Sequence, residues 1–138
     1  MLSSPEYIEK LRKSGLRPTK QRIKICQVLF DTNKTFHFTI SDLVKLIEIK
    51  ANEKISLATV YNTIHAFEKK GYLKEISINS SQTYFDTNTT NHHHFFDEKS
   101  KEIIDLEDCY VGKIKISKAI KGKKIKSVEV LVKIANDN

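Results

Sequence analysis

Three consecutive histidines, His92, His93 and His94, are the residues of this 138-residue chain best suited to chemistry. In an extended segment alternate side chains share a face, so His92 and His94 point together while His93 points away. Two imidazoles on one face form a pair of metal ligands. The spacing therefore predicts that His92 and His94 bind a metal ion.

Three further residues can complete such a site. Asp86 lies just upstream of the histidines, and Asp105 lies on a predicted strand that can pair with theirs. His37 lies in a loop of the N-terminal half. Nitrogen and oxygen donors without sulfur suit ferrous iron, manganese or zinc. We therefore expect a metal site that joins the two halves of the chain and is built from His37, Asp86, His92, His94 and Asp105.

Haem is an alternative occupant of the histidine region. Its iron takes imidazole axial ligands, and its ring packs on aromatic side chains such as Phe95 and Phe96, which follow the histidines. The candidate haem ligands are His92, His93 and His94. The sequence does not choose between a bare metal ion and haem.

The two cysteines, Cys26 and Cys109, belong to no CxxC pair, so no cysteine zinc site is expected. Cys26 lies at an apolar helix position, where a buried thiol is expected. The N-terminus has no apolar signal segment, and no apolar run reaches membrane-spanning length. These features predict a cytoplasmic protein with no membrane partner.

Four helices are predicted before the histidines. The first spans residues 5–14, and Thr19 can cap the second. Either Thr39 or Ser41 caps the third helix, and Ser56 caps the fourth.

The fourth helix, which ends at Gly71, is typical of a helix that reads DNA. Its apolar residues Val60, Ile64 and Phe67 lie on one face. The opposite face has no acid before Glu68. It carries small or hydrogen-bonding side chains, those of Thr59, Asn62, Thr63 and Ala66. Such a face can enter a major groove without repelling phosphates.

A β-hairpin follows this helix directly. Strands over residues 73–78 and 82–86 flank a polar turn at residues 79–81. A hairpin placed after a DNA-reading helix is a wing. The first part of the chain is therefore predicted to be a winged helix-turn-helix.

The charge distribution supports a nucleic-acid partner for this part. The chain has a formal net charge of +7, of which +5 lies in residues 1–87. The basic residues of that part concentrate between Lys10 and Lys24, where there is no acid. Such a stretch suits a phosphate backbone.

A polar linker at residues 86–91 separates two predicted domains, 1–87 and 88–138. The second is expected to contain strands at 94–96, 103–106 and 128–134 and a helix at 107–120. A domain of about fifty residues is too small for a comfortable core, so a two-fold dimer that presents two winged helices to an inverted repeat is expected. The predicted fold class is α+β, with a winged helix-turn-helix DNA-binding domain followed by a small α/β domain for dimerisation and metal or haem sensing.

Several motifs occur in an order that resembles the ferric uptake regulator family. They are GLRPTKQR at residues 15–22, His37, ISLATVYNTI at residues 55–64, the exit GYL at residues 71–73, and the histidine cluster. The resemblance covers nearly the whole chain and is weakest after Leu106. It implies a dimeric, metal-responsive transcription factor that binds AT-rich inverted repeats.

The resemblance also implies roles for individual residues. The family's sensor site maps onto the same five histidines and aspartates, although Asp86 and Asp105 stand where the family commonly has Glu. Tyr61 stands at a DNA-contacting position, and Lys13 or Arg17 can reach the minor groove. Asn replaces the family's usual Arg after Tyr61, and because Asn favours adenine the preferred DNA sequence is expected to shift. The expected DNA-binding residues are thus Lys13, Arg17, Thr59, Tyr61 and Asn62.

Other departures point to a branch of the family. Asp97 and Ser100 stand where many members have a CxxC pair. The sequence NHHHFF without cysteines most resembles the iron response regulator branch, which senses iron status through haem. The Cys-Pro haem motif of some members of that branch is absent, because Gln27 follows Cys26.

The leading hypothesis is a regulator of iron homeostasis genes that responds to iron or haem. A manganese, zinc or peroxide sensor of the same family is the nearest alternative, because it would use the same ligands. A metalloenzyme is disfavoured, since the chain has no HExxH, no GxSxG and no glycine-rich phosphate loop. A metal-storage module without a DNA role is disfavoured by the basic N-terminal part.

Overall fold

The computed structural model describes residues 4–79 and 82–138. The chain divides into two compact units, of which the N-terminal unit ends at Thr89 and the C-terminal unit begins at Thr90. None of the helices within the described ranges combines the length and the apolar character needed to span a bilayer.

Residues 4–79 and 82–89 of the N-terminal unit form four helices and three short strands. In chain order these are α1 (Ser4–Lys13), α2 (Lys20–Phe30), β1 (His37–Phe38), α3 (Ile40–Ala51), α4 (Leu57–Lys70), β2 (Lys74–Ile76) and β3 (Tyr84–Asp86).

Side-chain caps fix where these helices begin. The Thr19 hydroxyl accepts a hydrogen bond from the Arg22 backbone N–H at α2, and Ser56 caps α4 in the same way. At α3 the cap is Thr39 rather than Ser41. The Asp42 carboxylate accepts from the Thr39 N–H in return, which completes a capping box.

Gly71 ends α4 because it adopts a φ of 89°, which favours glycine. The Tyr72 N–H then donates to the Phe67 carbonyl at 2.9 Å, which satisfies one of the last carbonyl groups of the helix.

One apolar cluster holds the N-terminal unit together. Among the described residues, fifteen buried ones form it. They come from all four helices, from β1 and β3 and from two connecting segments, and include Leu11, Ile25, Leu43, Val60 and Phe67. Each helix contributes the apolar face that its sequence pattern predicts, so burial of hydrocarbon stabilises this unit.

The hairpin after α4 forms part of a three-stranded antiparallel sheet of order β1–β3–β2. Part of the predicted hairpin turn, Ser80 and Ser81, lies outside the described residues. The strand β1 was not predicted, because a two-residue strand has no periodicity of its own. Its pairing places His37 directly opposite Asp86.

The C-terminal unit is built on a second three-stranded sheet, of order β5–β4–β6. Its strands are β4 (His93–Asp97), β5 (Ile103–Leu106) and β6 (Leu131–Ile134), and a 3₁₀ turn at Asp108–Tyr110 follows β5. Strand β4 is antiparallel to β5 and parallel to β6.

The predicted helix over residues 107–120 is wrong beyond the 3₁₀ turn. Residues 111–119 have no regular secondary structure. Lys and Ile alternate from Lys113 to Ile116, which is a two-residue period, and Gly112 and the β-branched isoleucines further disfavour a helix.

Candidate metal centre

His92 and His94 lie side by side at the start of β4, as strand alternation requires. Their ring centroids are 4.5 Å apart. Both residues are buried, with 5% and 6% of their surface exposed. Burial of two imidazoles is costly unless their nitrogen atoms have partners.

Asp105 supplies the partner. The register of β4 and β5 places it opposite His94. One carboxylate oxygen, Oδ1, lies 3.3 Å from Nε2 of His92 and 3.7 Å from Nε2 of His94. The ligand atoms of these three residues lie within 4.8 Å of one another, a separation that one cation can bridge.

The Thr90 carbonyl decides the tautomer of His92. It lies 2.7 Å from Nδ1 of His92, and because a carbonyl only accepts, Nδ1 carries the proton. Nε2 of the neutral ring therefore presents a lone pair towards the Asp105 carboxylate. Two electron-rich atoms face each other stably only with a cation between them, either a proton or a metal ion. A second ring nitrogen fixed by a carbonyl is typical of metal-binding histidines.

The N-terminal unit contains a second imidazole–carboxylate pair. Nε2 of His37 lies 3.2 Å from Oδ2 of Asp86, whose side chain is fully buried. The other oxygen, Oδ1, accepts a hydrogen bond from the Asn88 N–H at 2.8 Å. This bond orients the carboxylate, so Oδ2 is held towards His37.

His93 has a different role from its neighbours. Its Nδ1 accepts a hydrogen bond from the Val130 N–H at 2.9 Å, so the ring proton lies on Nε2. Nε2 donates to Asp108 Oδ1, also at 2.9 Å. Both ring nitrogens thus bind the protein itself, which leaves none for a metal ion or for haem iron. No sequence pattern predicts the Thr90 and Asp108 contacts, because both depend on how the loops fold.

The cysteines stand apart from these groups. Cys26 is buried in the N-terminal core, and burial raises the pKa of its thiol to about 12, against the opposing effect of the Lys10 ammonium. Cys109 is exposed. Among the described residues, neither cysteine joins a cluster of metal-ligand atoms.

The outer face of α4 presents Tyr61 and Asn62 to solvent. Tyr61 packs on His65, with ring centroids 4.1 Å apart, and His65 meets the edge of the buried Phe85 ring at 5.7 Å. The open groove beside these residues measures about 440 Å³ and is also lined by Lys69. His65 is therefore a packing residue that supports Tyr61.

The remaining residues expected at the DNA surface have varied surroundings. Arg17 is exposed. Lys13 is also exposed and pairs with Glu9 at 3.1 Å, and this hydrogen bond raises the pKa of Lys13. The Thr59 hydroxyl accepts from Ser56 at the start of α4. Thr63, which we expected on the outer face, is fully buried, and its hydroxyl donates to the Thr59 carbonyl.

Comparison with known proteins identifies relatives. The model of the "Ferric uptake regulator family" matches residues 13–134. The "Peroxide-responsive repressor PerR" of Staphylococcus epidermidis is 37% identical over 101 residues, which are 73% of this chain and 65% of that protein. The "Peroxide operon regulator" of Bacillus subtilis is 35% identical over 73% of this chain and 68% of its own length. The chain thus spans about two thirds of these relatives.

Solved structures share the fold. The ferric uptake regulator of Pseudomonas aeruginosa with manganese superposes with a TM-score of 0.68 at 23% identity, over 96% of this chain and 98% of that chain. The ferric uptake regulator of Vibrio cholerae gives 0.69 at 20% identity, over 94% and 98%. These relatives do not support the resemblance to the iron response regulator branch.

Proposed function

The chain belongs to the ferric uptake regulator family, whose members are transcriptional regulators that bind DNA as dimers and are not enzymes, and we propose that it controls iron homeostasis genes in response to iron. The observation that carries this proposal is Asp105 Oδ1, which faces the Nε2 atoms of both His92 and His94. Nitrogen and oxygen donors without sulfur match ferrous iron, with manganese or zinc as competitors.

We further propose that His37 and Asp86 complete the coordination that His92, His94 and Asp105 begin. Three ligands leave a ferrous or manganous ion short of the coordination number that such ions prefer, and the His37–Asp86 pair offers the same donor types. Binding by both sets would let the metal fix the two domains, 1–87 and 88–138. The first domain would then read DNA, and the second would sense the metal and form the dimer in the cytoplasm.

The proposed DNA surface comprises Lys13, Arg17, Thr59, Tyr61 and Asn62. The exposure of Tyr61 and Asn62 on α4 supports base contacts. Lys13 would exchange its Glu9 partner for a phosphate, whereas Thr59 would act mainly by holding the start of α4.

A second candidate function is peroxide sensing. It is favoured by the names of the two bacterial repressors, which are 35–37% identical to this chain. Haem remains a further candidate effector, with His92 and His94 as ligands and without His93.

The test is fluorescence anisotropy of an AT-rich inverted repeat, with protein loaded anaerobically with ferrous iron, with manganese, or with haem. We expect ferrous iron and manganese to change the affinity for DNA and Asp105→Asn to remove that change. Asp97→Asn serves as the matched control, because Asp97 lies on the same sheet but belongs to neither ligand set. If only haem changes the affinity, the bare-metal proposal is wrong.

Peroxide separates the two candidates. Treatment of the ferrous protein with hydrogen peroxide should leave DNA binding intact if the protein senses iron. Rapid release of DNA by the ferrous form but not by the manganese form would establish peroxide sensing instead.

A further inference from the structure

Acidic and basic residues are segregated within the C-terminal unit. Six acids lie between Asp97 and Asp108, and the next is Glu129. The interval contains seven lysines within fourteen residues, Lys113, Lys115, Lys118, Lys121, Lys123, Lys124 and Lys126. This lysine segment, residues 113–126, has seven basic residues, as does the stretch from Lys10 to Lys24. The net charge of the C-terminal part is nevertheless small, because the acids elsewhere in it offset these lysines.

The lysine segment is exposed to solvent. Every residue from 112 to 127 is exposed. Within the part of the chain that the structure describes, no ion pair involves any of its lysines. Seven like charges so close together repel one another, and this repulsion is relieved when an anionic partner binds.

The segment also forms a groove. A turn at Gly122, with a φ of 77°, is closed by a hydrogen bond from the Lys123 N–H to the Ile120 carbonyl at 3.0 Å. Beside it lies a cavity of about 530 Å³ lined by ammonium-bearing and apolar side chains, including Lys118, Lys123, Lys124, Ile116, Ile120 and Ile125. Phosphates separated by apolar deoxyribose rings present the complementary chemistry.

We infer that residues 113–126 form a second DNA-binding surface, which holds the phosphodiester backbone without reading bases. The inference rests on the proposed DNA-binding function and extends it to the C-terminal unit. Charge selects this occupant, since a second lysine segment would bring fourteen like charges together. Covalent linkage to a DNA-reading domain also raises the effective concentration of DNA at the segment.

The experiment compares two triple variants with equal loss of charge. Lys121→Gln, Lys123→Gln and Lys124→Gln alter the segment, whereas Lys99→Gln, Lys101→Gln and Lys133→Gln alter exposed lysines elsewhere in the same unit. Affinity of the manganese-loaded protein for the AT-rich inverted repeat is measured across a salt series. Each phosphate contact contributes about 0.9 to the slope of log K against log salt. The segment variant should therefore lose up to about 2.7 from the slope, and the control should match the parent.

Equal slopes for the two triple variants would overturn the inference while leaving the proposed function intact. The same conclusion follows if the segment variant dissociates into monomers in sedimentation, because the segment would then be a contact between copies. Binding of the parent to phosphatidylglycerol vesicles, lost only in the segment variant and with no change in the DNA slope, would make the partner a membrane. A parent that fails to bind the repeat would contradict both proposals.

Discussion

The interiors of the two units are made of different side chains. The N-terminal unit buries a cluster of fifteen residues that are almost entirely hydrocarbon. The buried residues of the C-terminal unit are Phe96, Leu106 and the three histidines, His92, His93 and His94. The stability that apolar packing provides does not depend on bound ions. The stability of a unit with buried imidazoles depends on which groups bind their ring nitrogens. We therefore expect the stability of the second unit, more than that of the first, to depend on a bound metal ion.

The largest expected effect lies in the apolar unit. Phe67→Ala should lower the free energy of unfolding by about 3–5 kcal/mol, because Phe67 is fully buried and leaves a cavity. Denaturant unfolding followed by circular dichroism measures it. Phe67→Leu, which keeps most of the volume, should cost clearly less. Equal costs would show that the core of this unit is loosely packed.

Manganese should stabilise the C-terminal unit. At a concentration one hundred times its Kd, binding to the native state stabilises by about 2.7 kcal/mol. Hydrogen exchange should slow most at β4 and β5 and least at α2, whose amides are protected by the apolar cluster. The double variant His92→Ala/His94→Ala should show no slowing. Equal slowing throughout both units would remove the contrast between them.

Substitution of His93 tests whether this residue hydrogen-bonds to the protein or binds the metal ion. His93→Ala should cost about 1–3 kcal/mol, because the Val130 N–H and Asp108 lose their partner. Calorimetric titration should show that manganese still binds this variant. His94→Ala should have the converse effect, with a large loss of metal affinity. A loss of metal affinity as large in His93→Ala would make His93 a ligand.

Helix capping gives a smaller effect within the N-terminal unit. Thr39→Ala should cost about 1 kcal/mol, because it breaks the capping box of α3. The control is Ser41→Ala, two residues away and exposed, which should change the stability little. Thermal unfolding of the two variants measures the difference. A larger loss of stability in Ser41→Ala would show that α3 begins at Ser41 instead of Thr39.

The two cysteines give the smallest effect near neutral pH, where the Cys26 thiol is protonated in both the folded and the unfolded state. Iodoacetamide should label the exposed Cys109 quickly and the buried Cys26 only after unfolding. The Cys26 thiol has a pKa of about 12 when folded and about 9 when exposed. The unfolded chain therefore releases this proton first, and stability should fall as the pH rises from about 9 towards 12. The parent should lose more stability than Cys26→Ala over that range, and identical pH profiles would contradict the burial of this thiol.

Local patterns predicted most of the N-terminal unit. Caps at Thr19 and Ser56 and the stop at Gly71 were found where the sequence placed them, because a cap involves residues within one turn of each other. Helical periodicity likewise identified the apolar faces. It failed for Thr63, whose hydroxyl is satisfied by the carbonyl of the preceding turn, so that a polar residue occupies the core.

At the candidate metal centre, too, local patterns predicted some features and missed others. Alternation along a strand was enough to group His92 with His94 and to separate His93. The sequence did not determine the pairing of β1 with β3, the tautomer of His92, or the partners of His93, because each depends on groups that the fold brings together. For residues 111–119 the sequence did contain signals against the predicted helix, namely Gly112 and the two-residue Lys–Ile period that begins at Lys113. Residue type and strand alternation therefore identified the candidate metal ligands, whereas contacts made only in the fold decided which histidine nitrogens hydrogen-bond to the protein itself.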